Sequence, residues 1–350
     1  YFSPMLFEFV EGDPGPSDAD ALIKNLTKRT QDVRFFLELM DEMTDLLKGK
    51  GREKLDLLIE HELFYEFYRD RLFSFSTSNK LLACSYFESI SSTNDRISAR
   101  LITLSKSWNL KLAYGATKAL QSSDNMVVRR NALIRFLRRD DVSELMVSEL
   151  LHLFNDSGNW AQEEISNGLK TIFFQQDIKP QNKRIVVLYL AYKNHYELGS
   201  FLLQYLQKLQ YSSYKAPLFS GLVEALGKLH VTKAASIIRS CIEIKNLELR
   251  LKCVEALGRL GGEKNLGFLI QRLLNAEFPV RKKIIQVMTQ DSDTGIALTN
   301  KFLIANQKFI GQFKQQKKLP EDLKEIVQNI YSTVKGIQIM LPKEMSSDHV

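Results

Sequence analysis

The stretch Glu224-Ala225-Leu226-Gly227-Lys228-Leu229 recurs, with one basic residue exchanged for another, as Glu255-Ala256-Leu257-Gly258-Arg259-Leu260. The offset is 31 residues, and Leu249-Arg250 returns at the same offset as Val280-Arg281. Further back, Val128-Arg129-Arg130-Asn131-Ala132-Leu133 has the same cast, and Arg96-Ile97-Ser98-Ala99 precedes Arg129-Arg130-Asn131-Ala132 by 33 residues. A period near 30 residues belongs to chains in which one supersecondary unit is stacked on the next. Ala and Gly at fixed places let neighbouring helices approach closely, and Leu and Val fill the layer between them.

Working outward, the chain from about residue 79 reads as short amphipathic helices separated by tight breaks. The breaks are Ser91-Ser92-Thr93-Asn94, Ser122-Ser123-Asp124, Asn155-Asp156-Ser157-Gly158 and Gly261-Gly262. Short helices joined by short turns lie antiparallel to their neighbours. None buries its apolar face alone, so stacking is required. The composition agrees. Apolar residues make up 44% and charged residues 25% of 350, with only 17 Gly and 8 Pro, an ordinary globular balance. It excludes a disordered tail, a collagen-like fibre and a membrane bundle. No apolar run reaches the ~20 residues that span a bilayer.

The segment Leu249-Arg250-Leu251-Lys252-Cys253-Val254-Glu255-Ala256-Leu257-Gly258-Arg259-Leu260-Gly261 resembles the second helix of the HEAT-repeat family in its short bacterial form. Residues 218–230 match without the arginine, Phe219 standing in its place, and 280–288 keep Val280-Arg281 but lose the Ala-Leu-Gly end. The resemblance covers about residues 79–310. It implies an all-α, right-handed α-solenoid of antiparallel helix pairs, roughly seven of them, closed by helical caps. It also implies that Arg129, Arg250 and Arg281 bond an acid or a turn carbonyl of a neighbouring repeat. On function it is nearly silent.

The expected organisation has four parts: an aromatic lead-in and Gly/Pro linker over 1–16, an acidic helical cap over 17–78, the repeat array over 79–305, and a C-terminal helical cap and tail over 306–350. Within the cap, a helix over 52–70 is expected to turn Leu55, Leu58, Ile59, Leu63 and Phe67 inward, with Phe64, Tyr65 and Tyr68 widening that apolar face. The register slips between about 175 and 195. Helices over 159–174 and 182–194 both look like second helices, or one repeat is degenerate. The chain opens on Tyr1 rather than Met, so a cut or processed N-terminus is expected. Residues 1–10 read either as a segment packed on the body or as the end of a removed membrane anchor.

No catalytic constellation stands out. The five histidines include no pair at helical ligand spacing and none beside a cysteine, so no metal is expected. Cys84, Cys241 and Cys253 are far apart in apolar contexts and read as buried thiols in a reducing compartment. No Gly-rich phosphate loop and no Gly-x-Ser-x-Gly elbow occur, and Asp291-Ser292-Asp293-Thr294-Gly295 reads as a turn that caps the next helix. Trp108 and Trp160 read as packing residues. No enzyme activity and no cofactor are expected.

Charge is the one functional signal. Residues 1–70 carry 9 Lys/Arg against 16 Asp/Glu, whereas residues 96–139 carry 10 Lys/Arg against one acid, Asp124. A helical wheel places Arg130 and Arg138 with Asn131 and Ile134, opposite Ala132, Leu133 and Phe136. Arg96 and Arg100 lie one turn apart on the preceding second helix. In HEAT-like solenoids second helices line the concave face, so these four arginines are the expected partner-binding stripe. The expected function is a non-catalytic interaction scaffold or adaptor. Its partner would be an acidic protein segment or a component of a membrane complex, with an anionic membrane surface as a further candidate. The expected location is the cytoplasm, with tethering to the cytoplasmic face of a membrane through a segment before Tyr1 as the extended form. The alternative is a nucleic-acid binder, DNA glycosylase-like, that uses the same basic face. The array is not uniformly basic, and no aromatic-plus-acid pocket supports that alternative.

Overall fold

Each helix starts where the sequence breaks. Asn94, Asn109, Asn125, Ser143 and Asn246 stand just before helices, and their side chains accept the orphan N–H groups of Ile97, Leu112, Val127, Met146 and Leu249. The computed structural model describes residues 58–290 except 91–93, 157–160 and 274–275, with isolated positions at Phe9, Gly12, Asp20, Ala21, Ile23, Lys24, Gly295, Ala297 and Leu298. Most of the lead-in 1–16, the whole segment 306–350, Trp160 and Asp291–Thr294 fall outside the described residues, and with them the expected C-terminal cap.

Among the described residues there are fourteen α-helices and no strand. They are α1 (Glu62–Phe73), α2 (Thr77–Ser89), α3 (Asp95–Leu104), α4 (Leu110–Gln121), α5 (Met126–Leu137), α6 (Glu144–Asn155) and α7 (Gln162–Phe174), then α8 (Pro180–Tyr192), α9 (Gly199–Lys208), α10 (Ala216–Lys228), α11 (Ala235–Cys241), α12 (Leu247–Leu260), α13 (Glu263–Arg272) and α14 (Phe278–Gln290). Within each unit, helices pack on neighbours in sequence and, along a row, on the helix after next, which is the packing of an all-α solenoid. The chain divides into two compact units, residues 1–182 and 183–350.

In the first unit α2, α4 and α6 form one row, and α1, α3, α5 and α7 the other. Ala83, Ala113, Ala116 and Ala119 are fully or almost fully buried along the α2–α4 contact, where small side chains allow the helices together. In the second unit the close row is α10, α12 and α14. There the recurring Ala-Leu-Gly acts directly. A Cβ on Gly227 would lie 2.6 Å from Ala256 Cα, and a Cβ on Gly258 would collide with Val287. Gly261 and Gly262 both take positive φ and turn the chain after α12, a conformation that disfavours side chains.

Along both close rows runs a ladder of ion pairs. Lys118 Nζ lies 3.0 Å from Glu88 and 2.6 Å from Glu149, joining α2, α4 and α6. Lys252 Nζ lies 3.0 Å from Glu224, and Lys283 Nζ lies 2.6 Å from Glu255, joining α10, α12 and α14. The ladder uses the glutamate of each Glu-Ala-Leu-Gly motif, which is why that position is charged inside an apolar repeat.

Arg129 and Arg250 make the expected bonds to a neighbouring repeat, whereas Arg281 bonds a carbonyl in the turn before its own helix. Arg129, buried, donates to Leu153 O and Phe154 O at the end of α6. Arg250 donates to Ile244 O and pairs with Glu277, and Arg281 donates to Ala276 O. Desolvation holds the Arg129 guanidinium down to about 10, so burial and not an acid partner dominates its environment.

Two expectations are corrected. The single helix over 52–70 is interrupted: a turn at Glu60 is followed by His61, whose ring Nδ1 caps α1 by accepting from Leu63 N–H. After the restart Phe64 and Tyr68 are buried as expected, joined by Leu72, whereas Leu63 is exposed. Tyr68 and Tyr86 stack at 4.1 Å, and Tyr86 donates to Ile59 O. Trp108 is not packed at all: it is 90% exposed, only its carbonyl being held, by Arg139. α7 packs on α5, and α8 presents Arg184 to Gly221 of α10.

The cysteines are all buried and unpaired. Burial raises the thiols, Cys84 to about 12 and Cys253 further, with Glu88 and Cys241 respectively adding to the shift. The folded chain should therefore resist iodoacetamide at pH 8, where an ordinary thiol near 8.5 reacts readily. All three should react after denaturation. Labelling of native Cys84 at the rate of a free thiol would contradict the burial described here.

Candidate functional site

The two-row packing decides which basic residues meet. α5 and α7 lie side by side in one of the two rows, and the Asn125 side chain caps the start of α5. On α5, Ala132, Leu133, Phe136 and Leu137 turn into the core. That leaves Arg130, Asn131, Arg135 and the C-terminal Arg138 on the edge facing α7.

Between these helices is a cavity of about 300 Å³, lined by Arg130, Asn131, Ile134, Arg135 and Arg138 from α5 and by Thr171 and Gln175 from α7 and its end. Arg138 Nε lies 2.6 Å from Asp177 Oδ2, and its Nη2 donates to Gln175 Oε1 at 3.0 Å. Arg135 Nη1 donates to Ser105 Oγ at 2.9 Å. The Arg130 Nε is buried and has no hydrogen-bond partner among the described residues. Burial, with the neighbouring Arg138 charge, holds the Arg135 guanidinium below its ordinary value. Three guanidiniums are thus met by one carboxylate, that of Asp177.

The expected stripe is only partly assembled. Arg130 and Arg138 share the cavity wall. Arg96 and Arg100 do not line it: they gather instead on the ring of Phe73, at 5.0 and 5.5 Å, and Arg100 donates to Leu72 O. Arg138 is not the free charge that the helical wheel implied, because Asp177 follows α7 closely enough to reach it. The sequence reading missed Arg135, Thr171 and Gln175. Arg135 carried a usable signal, since it lies four residues after Asn131 and so on the same helix edge. Thr171 and Gln175 carried none, because they come from the next repeat, which the pattern of α5 alone does not show.

A second cavity, of about 170 Å³, lies in the second unit among Ile242, Glu243, Arg250, Arg272, Ala276, Glu277 and Val280. Its two arginines are each matched, Arg250 by Glu277 at 2.6 Å and Arg272 by Glu243. It is electrically closed where the α5–α7 cavity is not.

Among the described residues no group of three or more His, Cys, Asp and Glu is placed to hold a metal ion, and no helix is long and apolar enough to cross a membrane. The fold and site define an all-helical, repeat-like array with an arginine-lined cavity in its first unit. No family model matches the chain, and no curated protein is significantly similar to it. Among solved structures, an engineered protein from the Northeast Structural Genomics Consortium aligns over 94% of this chain and 93% of its own at 12% identity, with a TM-score of 0.30.

Proposed function

We propose that the chain is a non-catalytic, HEAT-like interaction scaffold that docks an acidic segment of a partner protein on the arginine-lined edge between α5 and α7. The observation that carries this reading is the uncompensated charge of the cavity. Arg130, Arg135 and Arg138 face one carboxylate, whereas the arginines of the second unit's cavity each have their own. Like charges held together repel and do not favour folding, so an acidic ligand is the economical account of their placement. Trp108 and Leu145, 90% and 77% exposed, supply apolar surface in the same unit that a partner would cover.

The test is fluorescence anisotropy with a labelled Glu-rich peptide. The double reversal Arg130→Glu and Arg138→Glu should weaken binding by at least about tenfold. Thermal stability should be almost unchanged, because the Arg138–Asp177 pair is exposed on both sides and such pairs contribute at most ~1 kcal/mol. Binding should also weaken with added salt, the screening length being ~8 Å at physiological ionic strength. Equal affinity of the parent and the double variant would overturn the reading.

A further inference from the structure

The α5–α7 cavity is more specific than a basic surface. Surface lysines and arginines attract any anion, but here three guanidiniums converge on one space of about 300 Å³, and among the described residues two of them have no acid partner: Arg130, whose buried Nε has no hydrogen-bond partner, and Arg135, which spends one nitrogen on the neutral Ser105 Oγ. With Asp177 opposing Arg138, the net charge of the group is +2. A carboxylate offers one negative charge. A phosphate monoester offers about −1.5 to −2 at neutral pH, with three strong acceptor oxygens. A guanidinium fork matches carboxylate and phosphate oxygens alike, two at a time, but only the phosphate has a third oxygen with which to engage a second fork at once. Asn131, exposed on the rim, adds a neutral amide donor.

Resting on the docking reading above, we propose that this cavity is a phosphate-monoester subsite, and that the acidic partner segment is recognised through a phosphorylated side chain seated between Arg130, Arg135 and Arg138. The matched arginine–glutamate cavity of the second unit lacks the free positive charge and does not share the property.

The experiment uses the full chain and three probes: a Glu-rich peptide with one central serine, the same peptide phosphorylated on that serine, and inorganic phosphate. Phosphorylation should tighten binding by about tenfold or more, the scale of one or two added charge-assisted hydrogen bonds. Arg130→Gln should remove that gain, so that the phosphorylated and unphosphorylated peptides bind the variant within about threefold of each other, whatever it costs both of them. Its melting temperature should match the parent, since among the described residues Arg130 Nε has no hydrogen-bonded partner to lose. Arg135→Lys, which keeps the charge and loses the fork, should also reduce the gain, and it serves if Arg130→Gln folds poorly. Inorganic phosphate should compete only weakly.

Other outcomes overturn the proposal in distinguishable ways. If phosphorylation adds less than about twofold while the Arg130→Glu, Arg138→Glu variant still loses the unphosphorylated peptide, the docking reading stands and the phosphate subsite falls. If neither peptide binds, both fall. A gain that survives in Arg130→Gln and in Arg135→Lys places the phosphate elsewhere. Inorganic phosphate binding as tightly as the phosphopeptide would make this a site for the free ion, not for a partner's side chain.

Discussion

Phe154→Ala is expected to destabilise the chain by about 3–5 kcal/mol, the range for emptying an aromatic site in a close-packed core. Phe154 is fully buried, and several elements use it. Gly168 of α7 comes so near that a Cβ there would lie 2.8 Å from the ring. The Arg129 guanidinium lies 5.8 Å above the ring and bonds the Phe154 carbonyl. Truncation therefore opens a void, removes the surface on which α7 is set, and loosens a buried cation. For a unit of this size the loss corresponds to a fall in melting temperature of roughly 10 °C. Calorimetry of the purified variant checks it. A shift of a degree or two would mean that α6 and α7 are not packed through this ring.

The second large effect should come from a single methyl group. Gly227→Ala places a Cβ 2.6 Å from Ala256 Cα and 2.7 Å from its Cβ. The obstacle is the backbone of α12, so no side chain can swing aside, and α10 and α12 must separate. Helix propensity alone favours Ala by ~1 kcal/mol. Overpacking of this kind typically costs ~1–3 kcal/mol and here falls at the upper end, giving a net loss of about 2 kcal/mol. Gly267 supplies the control. It lies in α13 with nothing within 4 Å of its Cβ position, so Gly267→Ala should stabilise the chain by about 0.5–1 kcal/mol. The same substitution should thus have opposite signs forty residues apart. Denaturant midpoints of the two variants decide it. Equal shifts for both would show that the glycine of the Glu-Ala-Leu-Gly motif is not a point of close helix approach.

That motif was the legible part of the fold. Glycine, alanine and leucine at a fixed offset encode a contact between like helices, and the contact is found where the recurrence is strongest, along α10, α12 and α14. The arginines at the starts of second helices were legible for the same reason, since a repeated residue makes a repeated bond. Three things were hidden. The inward face of α1 depends on a cap at His61 that restarts the helix, and periodicity carried through the break sets Leu58, Ile59, Phe64 and Tyr68 rightly on the apolar face but misplaces Leu63. Trp108 is large and apolar, and only tertiary contacts decide whether such a residue is covered; here none covers it. The cavity needs Asp177 and Gln175, which reach α5 only because α7 is stacked on it across an irregular stretch of the repeat. A helical wheel of one helix shows which residues share an edge, but not which residues of the next helix meet them.

The central claim is that an acidic partner segment seats between α5 and α7. Hydrogen–deuterium exchange of the full chain, with and without the Glu-rich peptide, tests it most directly. Added peptide should slow exchange in residues 126–138 and 162–177 and leave residues 216–290 unchanged. No change in the first two segments, or protection confined to residues 216–290, would contradict it.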